Sequence, residues 1–315
     1  MLYSDPEDAP ALTREYIEAC RKRDMQSQPQ TVIDLPCEPV DPSTGLTLSV
    51  LGSGSKGNGT IVRAQDTNIL IDCGFTCKDF LARCEKVGFD PLKLDAILIT
   101  HEHTDHTKGL GVVVRHLARH GIHPRFYTTS AIHSASRPIK EIEDLVDMHH
   151  VSHSDDFDIG DMRVFSFETS HDSIDSMGFR IESIFGADGI KQEEKVLGYV
   201  TDTGFLNSEG LAHLRGSEKI ALESNHDPHM LKIGPYPRHL QIRVAGDQGH
   251  LSNQQAACAL EQLLHNDLKV VVGMHLSETN NLPRHSLHAL REVVQHAQHP
   301  AQIFTASQRT PINFQ

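Results

Sequence analysis

The feature that most restricts the fold is a short apolar run followed at once by a polar cluster. Residues 94–100, LDAILIT, read as a buried strand, and His101-Glu102-His103-Thr104-Asp105-His106 comes directly after it. In an extended turn, residues two apart point the same way, so His101 and His103 can share one metal ion. Asp105 and His106, at the start of the helix expected next, face a second. Four more residues sit at comparable places: Asp72 ends NILID, His171 follows RVFSFETS, Asp202 ends VLGYVTD and His275 ends VVVGMH. Loops leaving one end of a sheet converge on a common rim. Together these residues complete two coordination spheres of nitrogen and oxygen donors. Without thiolate, such a set suits two divalent ions of Zn²⁺, Mn²⁺ or Fe²⁺ type.

The rest of the body alternates strands and helices. LTLSVLG, TIVRA, RFYTT, MRVFSFET, MGFRIES, IALES and QIFTA read as further strands. Helices are expected over Lys78–Val87, Lys108–His120, Ser252 to about His265, and Leu287–Gln298. Strand-rich halves that each carry helices predict an α/β fold of two packed sheets flanked by helices. Residues 1–45 differ: a short amphipathic helix is expected over Ala11–Asp24, then a proline-rich linker to Gly45. They read as an extension, with residues 46–315 as the working domain. Gly52-Ser53-Gly54-Ser55-Lys56-Gly57 satisfies G-x-G-x-x-G, but another strand follows it, so no helix N-terminus receives a pyrophosphate. A tight turn at the mouth of the metal site is expected there instead. Cys77 and Cys84 read as core packing.

Composition removes several classes. No apolar run approaches the ~20 residues that cross a bilayer, and MLYSDPEDAP has neither the basic nor the apolar region of a signal peptide. Six cysteines without a C-x-x-C pair fit a reducing cytoplasm. The formal charge of −13 argues against a protein that coats nucleic acid indiscriminately. The charge is uneven, however. No acid occurs between Asp105 and Glu141, where Lys108, Arg115 and Arg119 lie, nor between Asp227 and Asp247, which holds Lys232, Arg238 and Arg243. Both stretches flank the histidine clusters, so an anionic substrate is expected there, with Lys108, Arg115, Arg119 and Arg238 as contacts.

The H-x-H-x-D-H run, with an upstream Asp, a later His, a later Asp and a final His in that order, resembles the metallo-β-lactamase superfamily. L-G-S-G-S-K-G-N-G-T, L-I-D-C-G, T-H-E-H-T-D-H, E-S-N-H-D, G-H-L-S-N and H-L-S-E-T-N-N resemble its YycJ/WalJ-like branch, from about Leu46 to the C-terminus. The resemblance implies an αββα sandwich with a dinuclear site at one edge. It assigns His101, His103 and His171 to one metal, and Asp105, His106 and His275 to the other. Asp202 bridges them, and Asp72 orients a ligand histidine. It further implies a two-metal phosphodiesterase acting by a metal-bridged hydroxide on nucleic acid, as a 5′-to-3′ exonuclease, with DNA ahead of RNA. Asp105 and Asp202 then serve catalysis as well as metal binding. His250, expected to begin a helix, and His226, after the strand IALES, are candidates to assist the leaving oxygen. A small-molecule hydrolase on the same fold, a thioesterase or lactonase, is the competing reading; a metal-dependent scaffold is disfavoured by the complete ligand set. About seventy residues separate Asp202 from His275, too few for the inserted domain of β-CASP nucleases. H-x-H in place of H-x-E speaks against a di-iron redox protein.

Overall fold

The structure, a computed structural model, describes residues 40–184 and 195–315. The helix expected over Ala11–Asp24 and most of the expected linker lie outside the described residues. The first run of strands is β1 (Thr47–Gly52), β2 (Gly59–Ala64), β3 (Thr67–Ile71), β4 (Ala96–Leu98), β5 (Arg125–Thr128) and β6 (Asp147–His150). The second run is β7 (Asp156–Ile159), β8 (Met162–Glu168), β9 (Met177–Ser183), β10 (Val196–Val200), β11 (Lys219–Glu223), β12 (Val270–Met274) and β13 (Gln302–Thr305). The last strand, β14 (Ile312–Phe314), returns to the first sheet, giving the orders β14-β1-β2-β3-β4-β5-β6 and β13-β12-β11-β10-β9-β8-β7.

Each sheet is half antiparallel and half parallel. The parallel halves are β3-β4-β5-β6 and β10-β11-β12-β13. Parallel strands covered on both faces read as continuous apolar runs, and β4, β10, β11 and β12 are buried at every position. Alternation decides which layer each side chain joins. In β11, Ala221 faces the core between the sheets, whereas Ile220 and Leu222 pack outward under helices. In β12, Val270, Val272 and Met274 face inward and Val271 outward. The outer layer is α9 (Asn253–Leu263) and α10 (Pro283–His296), which contribute Ala256, Leu260, Leu263, Leu287, Leu290 and Val294.

Helices on the other side and between the strands are α1 (Cys77–Lys86), α2 (Thr104–Thr107), α3 (Leu110–Arg119), α4 (Ser130–Ala135) and α5 (Arg137–Lys140). Later come α6 (Ser208–Leu214), α7 (Pro228–Ile233) and α8 (Arg238–Ala245). The helix expected over Lys108–His120 is found as α3, Leu110–Arg119, and it is separate from α2 because the backbone bonds that would join them are diverted. Asp105 O accepts from Asn58 N at 2.8 Å, and Gly109 N donates to Cys73 O at 2.8 Å, so the i→i−4 bond between Gly109 and Asp105 is replaced. The cost of that break anchors the ligand turn to the segment after β3. The last long helix begins at Pro283, ahead of the expected Leu287, since proline suits the first turn where no N–H is required. His250 does not begin a helix: α9 starts at Asn253, with Ser252 and Gln255 forming a capping box. The Gly54–Gly57 turn closes with Gly57 N donating to Gly54 O at 3.1 Å.

Candidate metal centre

The strands that bear candidate ligands, four of them parallel and β8 antiparallel, all end on one rim. Asp72 follows β3, His101 to His106 follow β4, His171 follows β8, Asp202 follows β10, and His275 follows β12. Three of these residues leave their strands with left-handed backbone: Asp72 (φ 60°), Asp202 (φ 55°) and His275 (φ 53°). For a non-glycine residue that conformation stores about 1–3 kcal/mol, and it persists only where surrounding contacts hold it. Those contacts are present. Asp72 accepts from Thr100 N (2.9 Å), Asp202 from Thr201 Oγ1 (2.7 Å), and His275 N donates to Ser53 Oγ (2.8 Å).

The donor atoms fall into groups within 4.8 Å of one another: His101, His103 and His171 form one, and Asp105, His106 and His275 another. His101, His106 and Asp202 form a third that overlaps both, and Asp202 also groups with His171 and His250 and with Glu223 and His275. Asp202 reaches both sides, with Oδ2 at 2.9 Å from His275 Nδ1 and 3.3 Å from His106 Nε2, and Oδ1 at 3.9 Å from His171 Nε2. Asp72 Oδ2 lies 2.7 Å from His106 Nδ1, which turns Nε2 of that ring toward Asp202. His101 Nε2 is buried and has no hydrogen-bond partner. A buried ring nitrogen without a partner, amid carboxylates and imidazoles, is the signature of a donor intended for a cation, and the set fits a pair of divalent ions.

Electrostatics agree with that use. Burial, and next the His106 ring, hold His101 well below the usual imidazole range, so its lone pair is available. Burial would raise Asp202, but His275 and His106 keep it well below the usual carboxylate range. Beside the cluster, His250 Nδ1 lies 2.8 Å from Oε1 of Glu223, a fully buried carboxylate at the end of β11. Burial opposes charge on His250, yet Glu223 pushes the ring up to about 9. Glu223 Oε2 also accepts from Thr203 N at 2.8 Å and Leu251 N at 3.3 Å, which ties the loops after β10 and before α9 to one group. Glu223 was not among the residues expected from sequence, although it closes a buried strand as Asp72 and His275 do.

The remaining candidates separate. His226 belongs to none of the donor groups; its Nδ1 is buried without a partner, and burial, with His250 next, brings it down to about 4. Lys108 is exposed two residues beyond His106 and donates from Nζ to Lys56 O. Arg115 and Arg119 lie along α3, which carries Arg119 about 14 Å from the start of that helix at 1.5 Å per residue. Arg238 is exposed at the first turn of α8, whose Arg243 pairs with Asp172 beside His171. The structure therefore keeps Lys108 at the ligand turn and carries the three arginines on α3 and α8, outside the donor groups. Among the described residues no helix is long and apolar enough to cross a membrane, and Cys73, Cys77, Cys84 and Cys258 are free, with Cys84 packed in the core.

Residues 67–276 match the family described as the beta-lactamase superfamily domain. The chain is 30% identical over 244 residues to the exodeoxyribonuclease YycJ of Bacillus anthracis, covering 76% of this chain and 85% of that protein. A shorter match, 30% identical over 126 residues, is to ribonuclease Z of Methanopyrus kandleri, covering 40% of this chain and 43% of that one. Among solved structures, the metallo-beta-lactamase fold protein YhfI from Bacillus subtilis aligns with a TM-score of 0.62 at 14% identity, over 85% of this chain and 99% of that one. At that identity the likeness concerns the fold, and the two mixed sheets flanked by helices are the shared architecture.

Proposed function

The chain belongs to the beta-lactamase superfamily, and from that premise we propose that it is a metal-dependent phosphodiesterase of nucleic acid, a 5′-to-3′ exonuclease that acts on DNA ahead of RNA. The match to an exodeoxyribonuclease over most of both chains supports the substrate class. The observation that carries the chemistry is the pair of three-donor groups linked by Asp202, with the Glu223–His250 pair beside them. In this reading His101, His103 and His171 would hold one ion and Asp105, His106 and His275 the other, with Asp202 within reach of both groups. Asp72 fixes the His106 ring. Two divalent ions there supply Lewis-acid neutralisation of the phosphate and a lowered pKa for the attacking water.

The protein's own groups do the rest. Glu223 fixes His250 through Nδ1, which leaves Nε2 to donate to the departing oxygen or to a non-bridging phosphate oxygen. The His250 side chain keeps about 20% of its surface exposed, so substrate has access to it. His226, outside the donor groups, lines the same region as a neutral ring. Lys108, exposed beside the ligand turn, and Arg238, exposed on α8, offer phosphate contacts. Residues 46–315 form the hydrolase domain, residues 1–45 are an appendage, and the free thiols fit a cytoplasmic setting.

The test is a panel of 5′-labelled DNA and RNA, bis-p-nitrophenyl phosphate and an acyl thioester, each with added Mn²⁺ or Zn²⁺. The expected result is stepwise shortening of DNA from its 5′ end and turnover of the aryl diester. Thioester turnover with every phosphodiester left intact would replace this reading with that of a small-molecule hydrolase.

A further inference from the structure

Beside the donor groups lies a cleft of about 230 Å³. Four cations line it, Lys56, Arg83, Lys108 and Arg309, together with two carboxylates, Asp79 and Glu278. Four positive and two negative charges leave a net of +2 in a chain whose total is −13. The volume is below the ~300 Å³ at which drug-sized ligands begin to fit, so the occupant is a small charged group.

Four chain segments join this cleft to the metal centre. Lys108 is two residues beyond His106, and Glu278 three beyond His275. Lys56 is two before Asn58, whose Nδ2 lies 3.0 Å from His106 Nε2 and 3.4 Å from Asp105 Oδ2. Phe75 and Thr76 follow Gly74, which packs so tightly on the Asp105 carbonyl that an added Cβ would stand 1.7 Å from its oxygen. The cleft therefore adjoins the Asp105, His106 and His275 side of the centre. Its cations are also held in place. Arg83 donates to Leu51 O and to Gln308 O (2.9 Å) with its guanidinium 4.3 Å from the Phe75 ring centroid. Glu278 pairs with both Lys56 and Arg309, the latter at 3.6 Å.

We propose that this cleft receives the terminal 5′-phosphomonoester of the strand being degraded, next to the bond that is cut. The proposal rests on the nuclease reading above and adds how a chain end is chosen. A phosphomonoester carries about −1.5 to −2 at neutral pH, against −1 for each internal diester, and offers three acceptor oxygens. A small cleft of net charge +2 therefore favours an end over an interior position. Guanidinium and ammonium donors supply the charge-assisted bonds that make the difference.

The experiment measures affinity by fluorescence anisotropy, with no metal added, for one duplex carrying a 5′-phosphate, a 5′-hydroxyl or a 3′-phosphate. Wild-type chain should bind the 5′-phosphate duplex about tenfold more tightly than the other two. In the double variant Lys56→Gln/Arg309→Gln that ratio should fall to within about twofold of unity. A loss of folded protein would lower all three affinities together and leave the ratio in place, so the ratio reports the cleft alone. Equal binding of all three ends by wild type, a preference for the 3′-phosphate, or a 5′-phosphate preference that survives the double variant would each overturn the proposal. A parallel Mn²⁺ cleavage assay separates the two readings. DNA shortened without any end preference in binding leaves the nuclease and removes the cleft. End preference without cleavage of DNA or RNA keeps the cleft as a phosphomonoester site and removes the nuclease.

Discussion

Asp72→Asn tests the support beneath the metal centre while changing a single atom. The carboxylate is fully buried, with Oδ1 accepting from Thr100 N at 2.9 Å and Oδ2 facing His106 Nδ1 at 2.7 Å. Asparagine has the same size and tolerates the left-handed backbone at φ 60°, so neither packing nor strain is altered. What changes is acceptor count. If the amide oxygen serves His106, the amide NH₂ meets the Thr100 N–H; if it is turned over, the NH₂ meets the His106 ring nitrogen. One buried donor is left unpaired either way, which costs about 1–3 kcal/mol, a sizeable part of a total stability of about 5–15 kcal/mol. The same loss should weaken metal binding about 10–100-fold, because a ligand histidine loses the group that orients it. The assays are the urea midpoint in the presence of a chelator, and metal affinity by competition with a chromophoric chelator. Asp72→Ala should be worse, since alanine adds about 1–2 kcal/mol of left-handed strain. An Asp72→Asn protein with wild-type midpoint and wild-type metal affinity would refute the reasoning.

Three other outcomes are expected. His250→Ala should keep its metals and lose about 10²–10⁴ in rate on DNA, with a smaller deficit on bis-p-nitrophenyl phosphate, whose leaving group needs little protonation; near-normal turnover of DNA would remove His250 from the mechanism. Changing Arg115, Arg119 and Arg238 together to Ala should flatten the dependence of log affinity on log salt by about 2–3 for three lost phosphate contacts, and an unaltered slope would clear those arginines of any such role. Far from the centre, Glu218 accepts from Lys195 and Lys219, each at 2.8 Å, and although burial opposes it, these lysines bring its carboxyl from 4.5 down to about 2. A lowered folded-state value stabilises above the unfolded one, so the stability gap between wild type and Glu218→Gln should be full at pH 6 and close as pH falls from about 4.5 toward 2; a gap that widens on acidification would contradict the sign.

Much of the fold was legible because parallel strands buried on both faces announce themselves as apolar runs, and β4, β10, β11 and β12 are of that kind. The unrecognised strands lack the signal for a physical reason. β6 is DMHH, half-exposed at a sheet edge, and β7 is DFDI within a block of acids; each is set by the neighbour it pairs with rather than by its own pattern. β14 is three residues long and is defined by its pairing with β1. The division between α2 and α3 was likewise invisible, because it depends on Asn58 and Cys73 taking up backbone groups from a distant segment.

The metal ligands and the substrate surface differ in the same way. The candidate ligands share a local feature, a polar donor shortly after a strand, from one residue past β12 for His275 to three past β4 and β8 for His101 and His171, and Glu223 as the last residue of β11 is close kin to them. In ESNHD it is the carboxylate, three residues before His226, that orients His250, while the His226 ring lies outside the donor groups. The left-handed backbone at Asp72, Asp202 and His275 has only a weak sequence signal, the tolerance of aspartate and histidine for positive φ, and tertiary contacts hold them there. The phosphate-facing surface follows no local rule. Whether Arg115, Arg119 or Arg238 meets a phosphate depends on how α3 and α8 lean from the rim, whereas Lys56 and Arg309, 253 residues apart in sequence, meet through Glu278. Ligand chemistry is written strand by strand, but the proposed choice of phosphate is made where segments far apart in the sequence come together.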